Sequence, residues 1–264
     1  MLIENLFIYR NLIWQLTIRN IKSKNKGSHF GLAWILIKPL LLLILYIGIF
    51  GYIFGGKFDS VLNETRSDYA LGVFTGLSIM QFISDTINLS PTMIISQPNF
   101  VKKVVFPLDV LSVATICSLL VNFIVCIFLI CLGSLFWGRG LYWSILWLPV
   151  IIAPVIIMSI GISWFVSSLG VFFRDIGQVT DLFSIILMYS SAVVYSPSKV
   201  PESILRFIRF NPILHAIELT RNAILWNKTV ANWYLLYLYI CGLVIFFVGG
   251  LTFRLLKPSF ADEL

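Results

Sequence analysis

The sequence predicts an all-α, polytopic membrane protein. It should have six transmembrane helices, an amphipathic interface helix at the N-terminal end, and two short outer-face helices between the fifth and sixth spans. Three observations lead there. Of 264 residues, 59% are hydrophobic and only 12% are charged, about half the charge of an ordinary soluble domain, so lipid must supply much of the solvent. Six apolar runs approach or exceed the roughly 20 residues that a helix needs to cross a bilayer. The runs are continuous rather than alternating, which favours helices over the strands of a closed barrel.

The elements follow in order. Residues 3–22 carry Glu4, Asn11, Gln15, Arg19 and Lys22 on one helical face, with Ile3, Leu6, Phe7, Ile13, Trp14 and Ile21 away from it. Such a helix lies flat at the membrane interface. Residues 1–27 lack the compact apolar stretch and small-residue cleavage site of a removable signal. The spans are expected at 31–55, 70–96, 109–136, 144–172, 179–197 and 232–253. Between the last two, Pro201 suits a helix start and Asn211-Pro212 divides 198–231 into two amphipathic pieces, neither apolar enough to cross. An interfacial or re-entrant pair on the outer face is the natural reading. The whole chain then forms one domain: an interface helix in 1–30, a six-helix membrane region over 31–253 and a cytoplasmic tail over 254–264.

An even number of spans puts both termini on one side. Arg10, Arg19, Lys22, Lys24 and Lys26 precede the first span, and the positive-inside rule then places both termini in the cytoplasm. The net charge of +7 sits mostly between and beside apolar spans, which points to anionic lipid headgroups and not to nucleic acid. Cys117, Cys126, Cys131 and Cys241 fall inside apolar spans without metal-ligand spacing, so they read as small core residues and no metal site is expected.

No phosphate-binding loop, dinucleotide fingerprint or zinc-protease motif is present. An enzyme is therefore improbable, and so is ATP binding by this chain. Two charged islands between spans look instead like handles for a soluble partner. One is Asn99, Phe100, Lys102, Lys103 and Phe106, whose rings could plug into a partner's groove; the other is Arg174 and Asp175. The plain alternative is ordinary loop charge. Gly51–Gly55 and Gly72–Gly76 have the spacing that lets membrane helices approach closely. Lys38 and Asp85 are the charges deep in spans. At ~1.5 Å per residue, Lys38 lies roughly 10 Å and Asp85 roughly 8 Å from the cytoplasmic edge. An ion pair, within or between subunits, bracing the inner mouth of a channel is one expectation; the other is that Lys38 snorkels to the headgroups and Asp85 is solvated in the channel.

Ordered motifs then carry a resemblance. Lys26-Gly27-Ser28-His29-Phe30-Gly31-Leu32-Ala33-Trp34 with Lys38-Pro39-Leu40 resembles the entry to a first span. Lys102-Lys103-Val104-Val105-Phe106-Pro107 and Phe173-Arg174-Asp175-Ile176 resemble two cytoplasmic loops. Tyr195-Ser196-Pro197, Val200-Pro201, Asn211-Pro212 and Glu218-Leu219-Thr220-Arg221 resemble an outer-face run. In this order they resemble the polysaccharide-exporting ABC-2 permeases, most closely those for O-antigen, with capsule and teichoic-acid exporters as relatives. Lys38 departs from the pattern, standing where relatives often carry an uncharged residue before the proline.

The resemblance implies a homodimeric permease of the bacterial inner membrane with two copies of a separate ATPase. That partner would bind ATP and Mg, leaving this chain without a cofactor. The dimer would form one channel for a lipid-linked polysaccharide. The N-terminal helix and the 98–107 loop would meet the ATPase, and Arg206, Arg209, Glu218 and Arg221 would belong to an outer gate. Aromatic rings suit sugar faces, which makes Trp34, Tyr46, Phe50, Tyr52, Phe54, Tyr189 and Tyr195 candidate channel-lining residues; the alternative for each is a lipid-facing belt. A drug or small-lipid exporter shares the same architecture. A secondary transporter would show inverted repeats, and a membrane enzyme an acidic or histidine cluster; neither is evident.

Overall fold

A computed structural model describes residues 2–24, 27–58, 64–98, 100, 106–138, 140–228 and 231–263. Among the described residues all regular structure is helical. Leu2–Ile8 (α1) and Arg10–Lys24 (α2) replace the single interface helix expected over 3–22. Trp34–Tyr46 (α3) follows a short 3₁₀ turn and widens into a π-helix over Ile47–Phe54. Arg66–Leu89 (α4) starts four residues before the apolar run. The Thr65 side chain accepts from Asp68 N–H at 3.1 Å and Asp68 accepts from Thr65 N–H at 3.0 Å, a reciprocal cap for the first turn.

Leu108–Trp137 (α5) begins after Pro107, and Leu148–Phe172 (α6) is led by a 3₁₀ turn over Trp143–Trp147. Ile176–Ser190 (α7), Glu202–Ile208 (α8), Pro212–Ile224 (α9), Asn232–Leu256 (α10) and Phe260–Glu263 (α11) complete the order. The sequence correctly divides 198–231 at Asn211-Pro212. The Asn211 side chain caps α9 by accepting from Ile213 N–H at 3.0 Å, and its amide donates to the hydroxyls of Ser190 and Ser191.

Among the described residues, five stretches are long and apolar enough to cross a membrane: Gly31–Phe54, Arg66–Thr92, Leu108–Trp137, Trp143–Phe172 and Asn232–Glu263. The fifth span expected from sequence, 179–197, is the shorter α7. Its 15 residues rise only about 22 Å, less than the roughly 30 Å of a hydrocarbon core. The helix stops because the chain turns at Ala192, which has a positive φ of 50°.

α4 is the central post. In its most apolar window 78% of residues are buried, against 11% for the first span. α5, α7, α9 and the π-helix pack round α4, and the main core cluster includes Phe74, Ile83, Phe123, Ile151, Ile217 and Leu238. α6 and α10 form the closest helix pair. A Cβ on Gly249 would fall on the carbonyl of Gly161, so both backbones depend on hydrogen in place of a side chain. α2 packs on α5 through Leu16, Val110 and Ala114, with Thr17 Oγ1 donating to Ala114 O at 3.3 Å. Its Asn11, Gln15, Arg19 and Lys22 remain exposed, as the sequence predicts.

The two ends of the helix array differ. At one end Leu6, Ile13, Phe106, Trp164, Phe253 and Phe260 join a single apolar cluster, and Lys257 Nζ lies 3.3 Å from Asp109 Oδ1. α1, through Leu6, and α11, through Phe260, both join that cluster. At the other end Phe58, Tyr69, Trp226 and Arg221 gather beneath the α7–α9 connection.

Candidate functional site

A furrow opens between α2, α3, α4 and α5. Its wider part, about 290 Å³, is lined by Asn20, Lys24, Lys38, Gln81, Asp85 and Asn122 among others. A second part of about 130 Å³ shares Lys38, Gln81 and Asn122 and continues to Tyr46, Ser78 and Ser84. Helical spacing on α4 puts Ser78, Gln81 and Asp85 on one side of that helix. A polar wall results in a chain of which only 12% is charged. Beyond it Tyr46, Phe50 and Phe54 form an aromatic row, with ring centroids 5.9 and 5.7 Å apart. Tyr46 also meets Phe74 at 6.0 Å.

Lys38 and Asp85 face the same cavity, as their matched depths predict. Among the described residues no ion pair joins them within one chain. The space between α3 and α4 separates them, and Lys24 enters the same cavity. Of the predicted channel-lining residues, Trp34 and Tyr46 line the furrow, while Phe50 and Phe54 extend it as the row. Tyr52 is 70% exposed and takes no part in the row. Tyr189 and Tyr195 do not line the furrow; the Tyr195 hydroxyl donates to the Tyr189 carbonyl instead.

Asn99, Lys102 and Lys103 lie outside the described residues. At the end that holds α1 and α11, Phe100 and Phe106 stack at 4.4 Å with planes 13° apart. Both pack into the chain's own clusters, Phe106 against α2 and α5 residues as well. Both rings are half-buried against the chain's own residues, so each keeps part of its surface exposed. Arg174 and Asp175 are exposed on the turn between α6 and α7, beside an exposed Phe173.

The far end holds the largest departure from the sequence reading. Arg206 and Arg209 are exposed, but Arg221 is completely buried, so it cannot stand in an accessible gate. Its guanidinium donates to the carbonyls of Gly72 at 2.8 Å, Ala192 at 3.0 Å and Val193, and to Glu218 Oε1 at 3.2 Å. The ring of Phe58 covers one face, 4.2 Å from the guanidinium carbon. Taking so many acceptors is what makes burial of this cation tolerable. A Cβ on Gly76 would lie 2.7 Å from Arg221 Nη2. The Gly72–Gly76 spacing therefore serves this guanidinium within one chain. Phe58, Gly72, Ala192 and Val193 were not singled out from sequence for this role, because their partner lies 28 or more positions away along the chain.

The matching family description is the ABC-2 type transporter, over residues 11–225. The chain belongs to the ABC-2 type transporter family. Relatives align along almost its full length. An O-antigen export system permease protein, RfbA of Klebsiella pneumoniae, is 28% identical over 261 residues, covering 98% of this chain and 97% of the relative. The polysialic acid transport protein KpsM of Escherichia coli is 26% identical, covering 90% and 91%. The capsule polysaccharide export inner-membrane protein CtrC of Neisseria meningitidis is 21% identical, covering 94% and 91%. In this ABC-2 chain the family match takes in the furrow and the buried arginine alike.

Proposed function

We propose that this chain is the permease subunit of an ATP-driven exporter that carries a lipid-linked polysaccharide from the cytoplasm to the outer face of the inner membrane. The observation that carries this reading is near-complete alignment with permeases named for O-antigen and capsule export. The furrow adds chemistry that suits the cargo. Amide and hydroxyl side chains match sugar hydroxyls, and Tyr46, Phe50 and Phe54 offer ring faces to pyranose C–H groups. Hydrolysis belongs to a separate ATPase that binds ATP and Mg. Asn99, Phe100, Lys102, Lys103 and Phe106 are the proposed contact for it, together with Arg174 and Asp175.

Six crossings, with α7 as the fifth, agree with the packing. Leu6 and Phe260 share one cluster, so the chain ends on the side where it begins, and five crossings alone would separate them. The basic residues before the first span argue that this side is cytoplasmic. The first span leaves Leu36, Leu40, Leu41 and Ile44 exposed beside the furrow. A second copy facing that surface would close two furrows into one channel, with two ATPase copies below. α8 and α9 are the proposed outer gate, with Arg206 and Arg209 on its exposed part and Arg221 holding its buried part.

The test is genetic and chemical. Deleting the gene should strand completed lipid-linked glycan on the cytoplasmic side, and the wild-type chain should restore it to the surface. Normal surface glycan in the deletion strain would overturn the reading.

A further inference from the structure

α8 and the turn after it lie beside the first two turns of α10. The cleft between them, about 400 Å³, is lined by Arg206, Arg209, His215, Trp233, Tyr234 and Tyr237. Its walls are tied together. Tyr237 donates its hydroxyl to Phe210 O at 2.7 Å, and His215 Nε2 meets Arg209 O at 2.8 Å. The His215 ring stacks on Tyr234 at 4.7 Å with planes 14° apart. The cleft is therefore preformed and does not need a ligand to shape it.

Its charge is not balanced. Arg206 and Arg209 are three residues apart on one short helical stretch, where like charges repel. Among the described residues neither forms an ion pair, and Glu202 on the same helix reaches neither. Glu218 faces Arg221 instead. Burial pushes the His215 imidazole below its ordinary value, so it adds no charge near neutral pH. Two cations thus face an aromatic cleft that supplies no anion of its own.

Depth identifies the anion. Trp233 and Tyr234 open an apolar span, the position of the aromatic belt at a bilayer's headgroup level. Phe207 and Phe210 are 80% and 75% exposed beside the two arginines, so this stretch offers rings to hydrocarbon and guanidinium groups to the headgroup layer.

We propose that the cleft binds the phosphate of an anionic lipid. Arg206 and Arg209 donate to the phosphate oxygens, and the lipid's apolar chain runs along Trp233 and Phe210. Guanidinium forks suit phosphate geometry better than ammonium groups. Lipid binding here does not depend on whether the chain exports polysaccharide.

The experiment is native mass spectrometry of the full-length protein in detergent, offered phosphatidylglycerol, phosphatidylcholine or inorganic phosphate. The wild type should retain phosphatidylglycerol in preference to phosphatidylcholine. The double variant Arg206→Gln/Arg209→Gln should lose affinity for it by about 30-fold, at about fivefold for each basic side chain. Arg206→Lys/Arg209→Lys should keep most of the preference, and Arg254→Gln, an exposed cation at the opposite end, should keep all of it. Unchanged thermal unfolding of the glutamine variant separates lost binding from lost folding. Wild-type retention by the glutamine variant would overturn the site, and so would equal retention of the two lipids by the wild type. Displacement of phosphatidylglycerol by inorganic phosphate at matching concentration would overturn the lipid as the source of the phosphate.

Discussion

Arg221 and Lys38 are both cations set among apolar helices, and their surroundings differ in kind. Arg221 has no exposure and donates to three backbone carbonyls and a carboxylate under a phenyl ring. Lys38 opens onto a cavity with Asp85 and Lys24 and forms no ion pair with the aspartate within one chain. A saturated cation fixes structure: it ties α9 to α4 and to the end of α7. An unsaturated one keeps its hydrogen-bonding capacity for water or for something that passes. The contrast separates a charge whose hydrogen bonds are made within the chain from one that opens onto a cavity.

The largest test removes the saturated charge. Arg221→Met strips four acceptors of their donor and should cost roughly 3–5 kcal/mol, as breaking a buried charged network does. Thermal unfolding in detergent reads it. Arg221→Lys should rescue little, since one ammonium cannot span the same carbonyls. A wild-type melting curve for Arg221→Met would break the comparison at its strong end. Next comes Gly76→Ala, whose Cβ would crowd the guanidinium. A loss of about 1–3 kcal/mol is expected. Gly177→Ala, with nothing within 4 Å of its Cβ, should stay neutral or gain a few tenths of a kcal/mol.

The open end should respond in export and hardly in stability. Lys38→Asp and Asp85→Lys should each lower export, and the double swap should recover only a minor part, a coupling below about 1 kcal/mol. Recovery to wild-type export would mean that the two residues pair in the working state, and Lys38 would then join Arg221 among the structural charges. The smallest expected effect separates two tyrosines of one span. Tyr46→Ala should reduce export by roughly two- to tenfold through a lost aromatic contact worth about 0.5–1.5 kcal/mol. Tyr52→Ala, outside the row, should leave export unchanged. Equal losses would mean that the row is not the path.

Much of this was legible along the chain because apolar length and helix breakers are local signals. Five of the six expected spans, the Asn211-Pro212 division and the meeting of Lys38 and Asp85 at one cavity follow from runs and spacing. What escaped depends on partners distant in sequence. Nothing near Arg221 shows that carbonyls of residues 72, 192 and 193 await it, so it reads as one more outer-face charge. Phe106 packs with α2, which only the fold brings to it. α7 reads as a full span because 191–197 is mostly apolar and uncharged, although the chain turns at Ala192 and the carbonyls of Ala192 and Val193 face Arg221. Gly72 and Gly76 announce close approach but not what approaches.

The glycine contact between α6 and α10 has a mechanical consequence. With the carbonyl of Gly161 set where a side chain of Gly249 would be, the two helices touch backbone to backbone at that crossing, while Trp164 packs on Phe246 and Phe253 beside it. Short-range contact of this kind holds its strength over a very small displacement and then fails at once. Drawn from the membrane by its C-terminal end, the chain should therefore resist stiffly and release α10 in one abrupt step. A bulky residue at Gly249 should turn that step into a gradual slip at lower force.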